Sequence, residues 1–154
     1  MNRGLKTGFL GFDIPNKTAR LYDQGKHPFD MSPLTDVANA VVGVLTHPEE
    51  TKNRYVHINT FYTSQAKTLE ALEKELGSFQ VSTVGAKEAN EEGAARIKKG
   101  DFGGIKDSLM GFMAGGEEGG NGEGVDNELV LGRATKDEGE LGAVVAKYLK
   151  GETI

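Results

Sequence analysis

The chain has 154 residues, enough for one domain that buries roughly two-thirds of its unfolded surface. Eighteen basic against 23 acidic residues, a formal net charge of −5, argue against a nucleic-acid partner, which would require a basic face. Cysteine is absent, which excludes disulfides and thiolate chemistry, and no window approaches about 18 consecutive apolar residues, the length of a membrane span. The opening MNRGLKTGF is too short in apolar residues for a signal-peptide core, so the expectation is a soluble, cytoplasmic protein.

In chain order, residues 4–13 are apolar and punctuated by Gly4, Gly8 and Gly11, and are expected to form a loop against apolar surface rather than a helix. Thr18 to Tyr22 is a strand candidate, ended by the turn Asp23-Gln24-Gly25. Ser32 then supplies a helix N-cap with Pro33 at the first helical position. Leu34, Val37, Ala38, Val41, Val44 and Leu45 recur with a helical period, which predicts one buried face, and Pro48 closes the helix. Tyr55 to Asn59 has strand composition. Thr63 and Ser64 cap a helix packed through Leu69, Leu72 and Leu76, with Glu70 and Lys74 paired on the other face and Gly77 as its stop.

Phe79 to Val84 alternates as a strand does, and 87–99 is a weakly apolar helix. Ile105, Leu109 and Phe112 predict the packed face of another helix, interrupted at Gly111. Residues 115–124 hold six glycines, with Glu117, Glu118 and Glu123; too little can be buried to offset ordering, and 115–126 is expected to be a flexible Gly/Glu loop. A last helix over about 137–150 presents Leu141, Val144, Val145, Tyr148 and Leu149, and Gly151 stops it. There is no internal repeat and no second domain.

Two glycine clusters superficially suggest phosphate binding. Gly8-x-x-Gly11 lacks a preceding strand, and Gly120-x-Gly122-x-Gly124 lies in a window, 115–128, with five carboxylates and no Lys or Arg; a pyrophosphate needs a strand, a tight turn and a helix N-terminus. Both are read as loops. His27, His47 and His57 lack metal-ligand spacing and take structural or surface roles by default. Tyr62 and Lys67 are five apart across a helix cap, so they do not form a Tyr-Lys catalytic pair on one face, and Tyr62 is read as a packing residue. Asp36 in a first helical turn complements the helix dipole.

Several segments, in order, carry a likeness over nearly the whole chain: GLKTGFLGFD at 4–13, TARLYDQGKHPFDMSPLTDVANAVVGVL at 18–45 with its Asp36, HPEETKNRYVHI at 47–58 with Asn53-Arg54, TSQAKTLEALEKELG at 63–77, and NELVLGRATKDEGELGAVVAKYLKG at 127–151. Together they resemble the C-terminal half of the fungal NmrA-like, isoflavone-reductase-like oxidoreductases, a branch of the atypical short-chain dehydrogenases.

The resemblance implies an α/β fold: the C-terminal, substrate-side portion of a Rossmann-type reductase. It would have short strands, four to five helices and no complete dinucleotide-binding unit, and 1–154 would be a single partial domain. It implies an NAD(P)H-dependent reductase of small aromatic or polyketide-like metabolites, often in secondary metabolism. The family's nicotinamide-binding glycine motif and its acid–base lysine would both lie upstream of Gly4. No catalytic or cofactor-binding residue is therefore carried over, and neither NADP nor NAD is expected to bind this chain alone.

Leu5, Phe9, Leu10 and Phe12 are the candidate wall of a substrate pocket, being apolar and set among glycines. The expected partners are a small-molecule substrate and a missing N-terminal half or a second copy. The expectation is a chain that is truncated or split and catalytically incomplete. A non-catalytic regulatory or interaction protein of the same family, and a non-functional remnant, stay open as alternatives at this point.

Overall fold

In chain order, the computed structural model describes residues 2–116 and 124–151 as α1 (Asn2–Lys6), β1 (Phe12–Asp13), β2 (Thr18–Tyr22), β3 (Pro28–Met31), α2 (Leu34–Thr46), α3 (Pro48–Thr51), β4 (Phe61–Ser64), α4 (Gln65–Leu76), β5 (Gln80–Val84), α5 (Ala86–Lys98), α6 (Gly104–Ala114), α7 (Asn127–Leu131) and α8 (Glu138–Leu149). The class is α/β. The five long helices lie where periodicity places them, and α1, α3 and α7 are short additions among the described residues. Most of the 115–126 stretch expected to be a loop, including Gly120 and Gly122, lies outside the described residues.

Two small sheets organise the fold. In the first, β2 is central, antiparallel to β1 (Phe12 opposite Ala19) and parallel to β5 (Tyr22 opposite Val84). In the second, β3 and β4 pair antiparallel, with Phe29 opposite Thr63. One apolar cluster joins them: Phe12, Tyr22, Phe29, Phe61, Leu72, Met110, Leu141 and Val145 are all essentially without solvent contact. Burial of side chains of this size, at roughly 1.5–3 kcal/mol each, is the main favourable term for a chain of this length.

The 4–13 segment departs from the expected loop. Asn2–Lys6 is helical, and Gly8 and Gly11 (φ +69° and +90°) turn the chain back into β1. A side chain at Gly11 would collide with the Arg20 carbonyl, so this glycine is needed for the close approach of the turn to β2. The start of α2 also differs by one position. Pro33, not Ser32, is the N-cap, and the Ser32 hydroxyl instead accepts the Thr60 N–H at 3.1 Å. Pro48 does not merely end α2 but begins α3. Further along, α4 is as expected: Ser64 Oγ accepts the Lys67 N–H, and Gly77 (φ +80°) follows Leu76.

The faces of α2 and α6 are the largest correction. Leu34 and Leu45 are 61% and 73% exposed, and Val37, Val41 and Val42 are also exposed; the buried positions of α2 are Ala40 and Gly43. Those two lie on one stripe with Asp36, at the i, i+4, i+7 spacing of a helix face. Gly43 lies directly against the Val130 carbonyl of α7. In α6, Ile105, Leu109 and Phe112 are likewise exposed, while Gly104 and Gly111 face α5. There, side chains at Gly93, Gly104 or Gly111 would strike the backbone of the facing helix. Small residues let helix backbones approach closely, and in both helices that contact wins over the larger aliphatic stripe.

Candidate functional site

The carboxyl ends of the parallel strands β2 and β5 are where an α/β sheet offers a crevice. β2 runs directly into Asp23 and Gln24, both with positive φ (46° and 62°). Neither is glycine, and conformations of that kind persist only where the surroundings enforce them, commonly at functional sites. What enforces this one is on the other strand: β5 enters α5 through Gly85, and the Asp23 carboxylate accepts the Ala86 N–H at 3.0 Å. Two clefts meet at Asp23. One, of about 180 Å³, is lined by Gln24, Thr83, Val84 and Gly85. The other, of about 470 Å³, is lined by Lys87, Asn90, Glu91, Gly111, Phe112 and Gly115.

Behind this crevice Tyr22 is buried, and its hydroxyl donates to Asp107 Oδ1 at 2.9 Å. Asp107 also meets Arg20 at 3.2 Å and Arg96 at 3.3 Å. Burial pushes the Tyr22 phenol well above its ordinary value, and the hydrogen bond and charge of Asp107 act the same way. Tyr22 is therefore a neutral donor at physiological pH. An ammonium (Lys87), a carboxamide (Asn90), the carboxylates of Asp23 and Glu91 and the ring of Phe112 thus line the larger cleft.

A dinucleotide is poorly served here. The β5–Gly85–α5 connection is a strand–turn–helix, the arrangement that cradles a pyrophosphate, but the Asp23 carboxylate accepts the Ala86 N–H at its start and would repel an anion. Gly8 and Gly11 lie between a helix and a strand, the reverse of the order a dinucleotide motif needs. Among the described residues, no three His, Asp or Glu side chains are placed to hold a metal. His47 Nδ1 lies 2.9 Å from the Gly43 carbonyl at the end of α2, His57 stacks obliquely by Tyr55, and Tyr62 stands half-exposed on β4 opposite Asp30.

The candidate pocket-wall residues divide. Leu5, Leu10 and Phe12 are buried in the core, whereas Phe9 is only partly covered and packs on its margin. The Gln65 carboxamide ties this segment to β2: its Nε2 donates to the Leu10 carbonyl at 2.8 Å and its Oε1 accepts the Tyr22 N–H at 2.9 Å. The Asp23 crevice was not legible in the sequence beyond a turn, because Asp-Gln-Gly reads as an ordinary loop and only the β2–β5 pairing brings Gly85 and Lys87 to it.

A third cleft, apolar and about 270 Å³, is lined by Val37, Ala40, Val41, Val44 and Leu45 of α2 and by Val56 and Ile58. A buried polar network holds the residues that follow Ile58, Asn59 and Thr60. Asn59 donates through Nδ2 to Asp30 at 2.7 Å and accepts from Thr135, while Asn127 bonds both its N–H and its carbonyl. Asp36 joins Thr60 and Arg133, both at 2.6 Å.

The comparisons with known proteins bear on the whole chain. It is 33% identical over 105 residues to oxidoreductase poxI of Penicillium oxalicum, covering 68% of this chain and 33% of that protein. It is 34% identical over 98 residues to oxidoreductase aprR of Aspergillus flavus, covering 63% of this chain and 33% of that one. The chain is related to fungal oxidoreductases. It spans about a third of the length of the curated relatives it matches. No protein-family profile matches it, and no solved structure is similar to it. Among the described residues, no helix is long and apolar enough to cross a membrane.

Proposed function

We propose that this chain is the substrate-side portion of an NAD(P)H-dependent reductase of the NmrA-like, isoflavone-reductase-like type, acting on small aromatic or polyketide-like metabolites. The similarity to poxI and aprR over about two-thirds of the chain supports the oxidoreductase part of this reading, and the resemblance of the segments between Gly4 and Gly151 supports the family, cofactor and substrate class. The dinucleotide, in this reading, is held by a Rossmann-type unit elsewhere, because the strand–turn–helix present here is already capped by Asp23. This chain's contribution is to bind and orient the substrate. Lys87, Asn90 and Phe112 offer polar and aromatic contacts at the Asp23 crevice. Of the four candidate wall residues, Leu5, Leu10 and Phe12 are committed to the core, and Phe9, the least covered, is the one that reaches substrate.

The test is a chimera in which this chain replaces the matched third of poxI, assayed for NADPH oxidation with a panel of hydroxylated aromatic ketones and quinones. Substrate-dependent oxidation is expected, and Phe9→Ala should change KM or substrate preference. A folded chimera that oxidises NADPH with no member of the panel would refute the reductase reading. Loss of about 3–5 kcal/mol of stability on Phe9→Ala with unchanged preference would assign Phe9 to core packing alone.

A further inference from the structure

In the sheet order β1–β2–β5, β5 has a neighbour on one side only among the described residues. Helices α4 and α6 pack on β2, and β5 stands beyond them with Gln80, Val81, Ser82 and Thr83 all exposed. The Gln80 N–H reaches the Lys17 carbonyl at 2.8 Å, so Gln80, Ser82 and Val84 turn their backbone groups toward β2. By the alternation of a strand, those of Val81 and Thr83 point the other way, along the open edge. Edge strands are ordinarily protected by charge, proline, a bulge or a covering element. Here residues 76–86 contain neither charge nor proline, in a chain of which 27% is charged. The register runs unbroken from Thr18–Gln80 to Tyr22–Val84, without a bulge.

The two ends of this edge carry opposite charges. At its entrance, Lys17 Nζ donates to the Leu76 carbonyl at 2.6 Å, beside Gly77. At its exit, the carboxylate of Glu88, in the first turn of α5, lies beside Gly85. Both residues are exposed, and among the described residues neither is in an ion pair. An antiparallel strand of the same sequence sets each entrance against the other's exit, bringing Lys17 toward Glu88 twice. The opposite edge of the sheet, β1, is only two residues long and ends in Asp13. The sheet therefore has one edge able to pair, and such pairing closes at two copies.

We propose that β5 is a dimerisation edge, at which two copies of this chain pair β5 antiparallel about a two-fold axis at Ser82 and join two three-stranded sheets into one of six strands. In that register Val81 lies opposite Thr83 of the second copy and exchanges both backbone bonds with it, and Gln80 lies opposite Val84. The Val81–Thr83 pairs are β-branched cross-strand contacts, and they cover Val81, which is 49% exposed in the single chain. Thr83 and Val84 also line the smaller cleft at Asp23, so the second copy's Val81 and Gln80 form part of its rim.

Sedimentation velocity over a concentration series of the intact chain, with amide hydrogen exchange at its two ends, tests this. A reversible monomer–dimer equilibrium is expected, and a weak one, because a single strand pair buries less than the roughly 1,200–2,000 Å² of a standard interface. The Val81 and Thr83 amides should gain protection as concentration rises, whereas those of Ser82 and Val84, bonded to β2, should be protected throughout. Val81→Lys, which puts a charge on the open edge, should leave the melting temperature of the dilute chain unchanged and raise the dimer dissociation constant by about tenfold or more. Lys17→Glu and Glu88→Lys should each weaken the dimer, and the two together should restore it. A chain that stays monomeric across the series would overturn the proposal. So would a dimer in which the Val81 and Thr83 amides remain unprotected, which would place the contact on the exposed faces of α2 or α6. Growth beyond two copies, or a double exchange no tighter than the single variants, would overturn it as well.

Discussion

Gly43 of α2 lies so close to the Val130 backbone carbonyl of α7 that no methyl group fits between them. That contact, rather than the valine and leucine stripe, orients α2. The stripe is thereby turned outward beside Val56 and Ile58, where it forms one wall of the apolar cleft.

Gly43→Ala should therefore destabilise the chain by about 1–3 kcal/mol, since overpacking against backbone cannot be relieved by a side-chain rotation. Val41→Ser, at a position 55% exposed, should stay within about 0.5 kcal/mol of the parent. Urea unfolding of both variants measures the difference, and the reverse order would mean that the aliphatic stripe is the packed face.

Gln65 is buried and serves Leu10, Arg20 and Tyr22 at once. Gln65→Leu keeps its bulk but strands the Tyr22 N–H and the Leu10 carbonyl, each worth about 1–3 kcal/mol when left unsatisfied in the interior. A large fall in the unfolding midpoint is expected, with faster exchange of the Tyr22 amide as its local signature. An unchanged Tyr22 amide would show that this bond does not hold the 4–13 segment to β2.

The Thr63 hydroxyl is buried and has no hydrogen-bond partner among the described residues. Replacing it with the isosteric Val removes a desolvated polar group at no cost in volume. Thr63→Val should be neutral or stabilising by about 1 kcal/mol. A loss of stability in a thermal melt would reveal that the hydroxyl is satisfied in solution.

Asp126 carries a pH dependence. Burial pushes its carboxyl up, but the His57 N–H and the Arg54 guanidinium together outweigh this and hold it below the usual carboxylate range. The folded state thus favours the ionised form. Its contribution to stability is complete above about pH 4, the value for an unfolded aspartate, and is lost as pH falls through the lower folded value. Asp126→Asn should flatten the acid limb of stability below about pH 4 relative to the parent. Parallel acid limbs for the two proteins would exclude this carboxylate as a source of acid sensitivity.

Local chemistry was enough to place much of this fold. Thr18–Tyr22 alternates and is rich in strand formers, Ser64 and Gly77 punctuate α4, and Asp137 caps α8 through the Glu140 N–H at 3.1 Å. Those signals operate within a few residues of sequence and do not wait on the rest of the chain. Which face of a helix is buried is a different kind of question. Periodicity in α2 and α6 correctly reports an amphipathic helix, but the choice between a glycine-alanine stripe and a valine-leucine stripe depends on how closely another backbone can approach. That is decided by Val130 for α2 and by Gly93 for α6, each distant in sequence or on another helix. The Asp23 crevice is likewise a product of register, since only the pairing of Tyr22 with Val84 carries Asp23 to the start of α5. The sequence by itself determined where most helices and the central strand begin and end, because caps, turns and periodicity are local. Only the tertiary structure decided which surfaces close on one another and which stay open, because that rests on backbone contacts and unpaired edges between segments far apart in the chain.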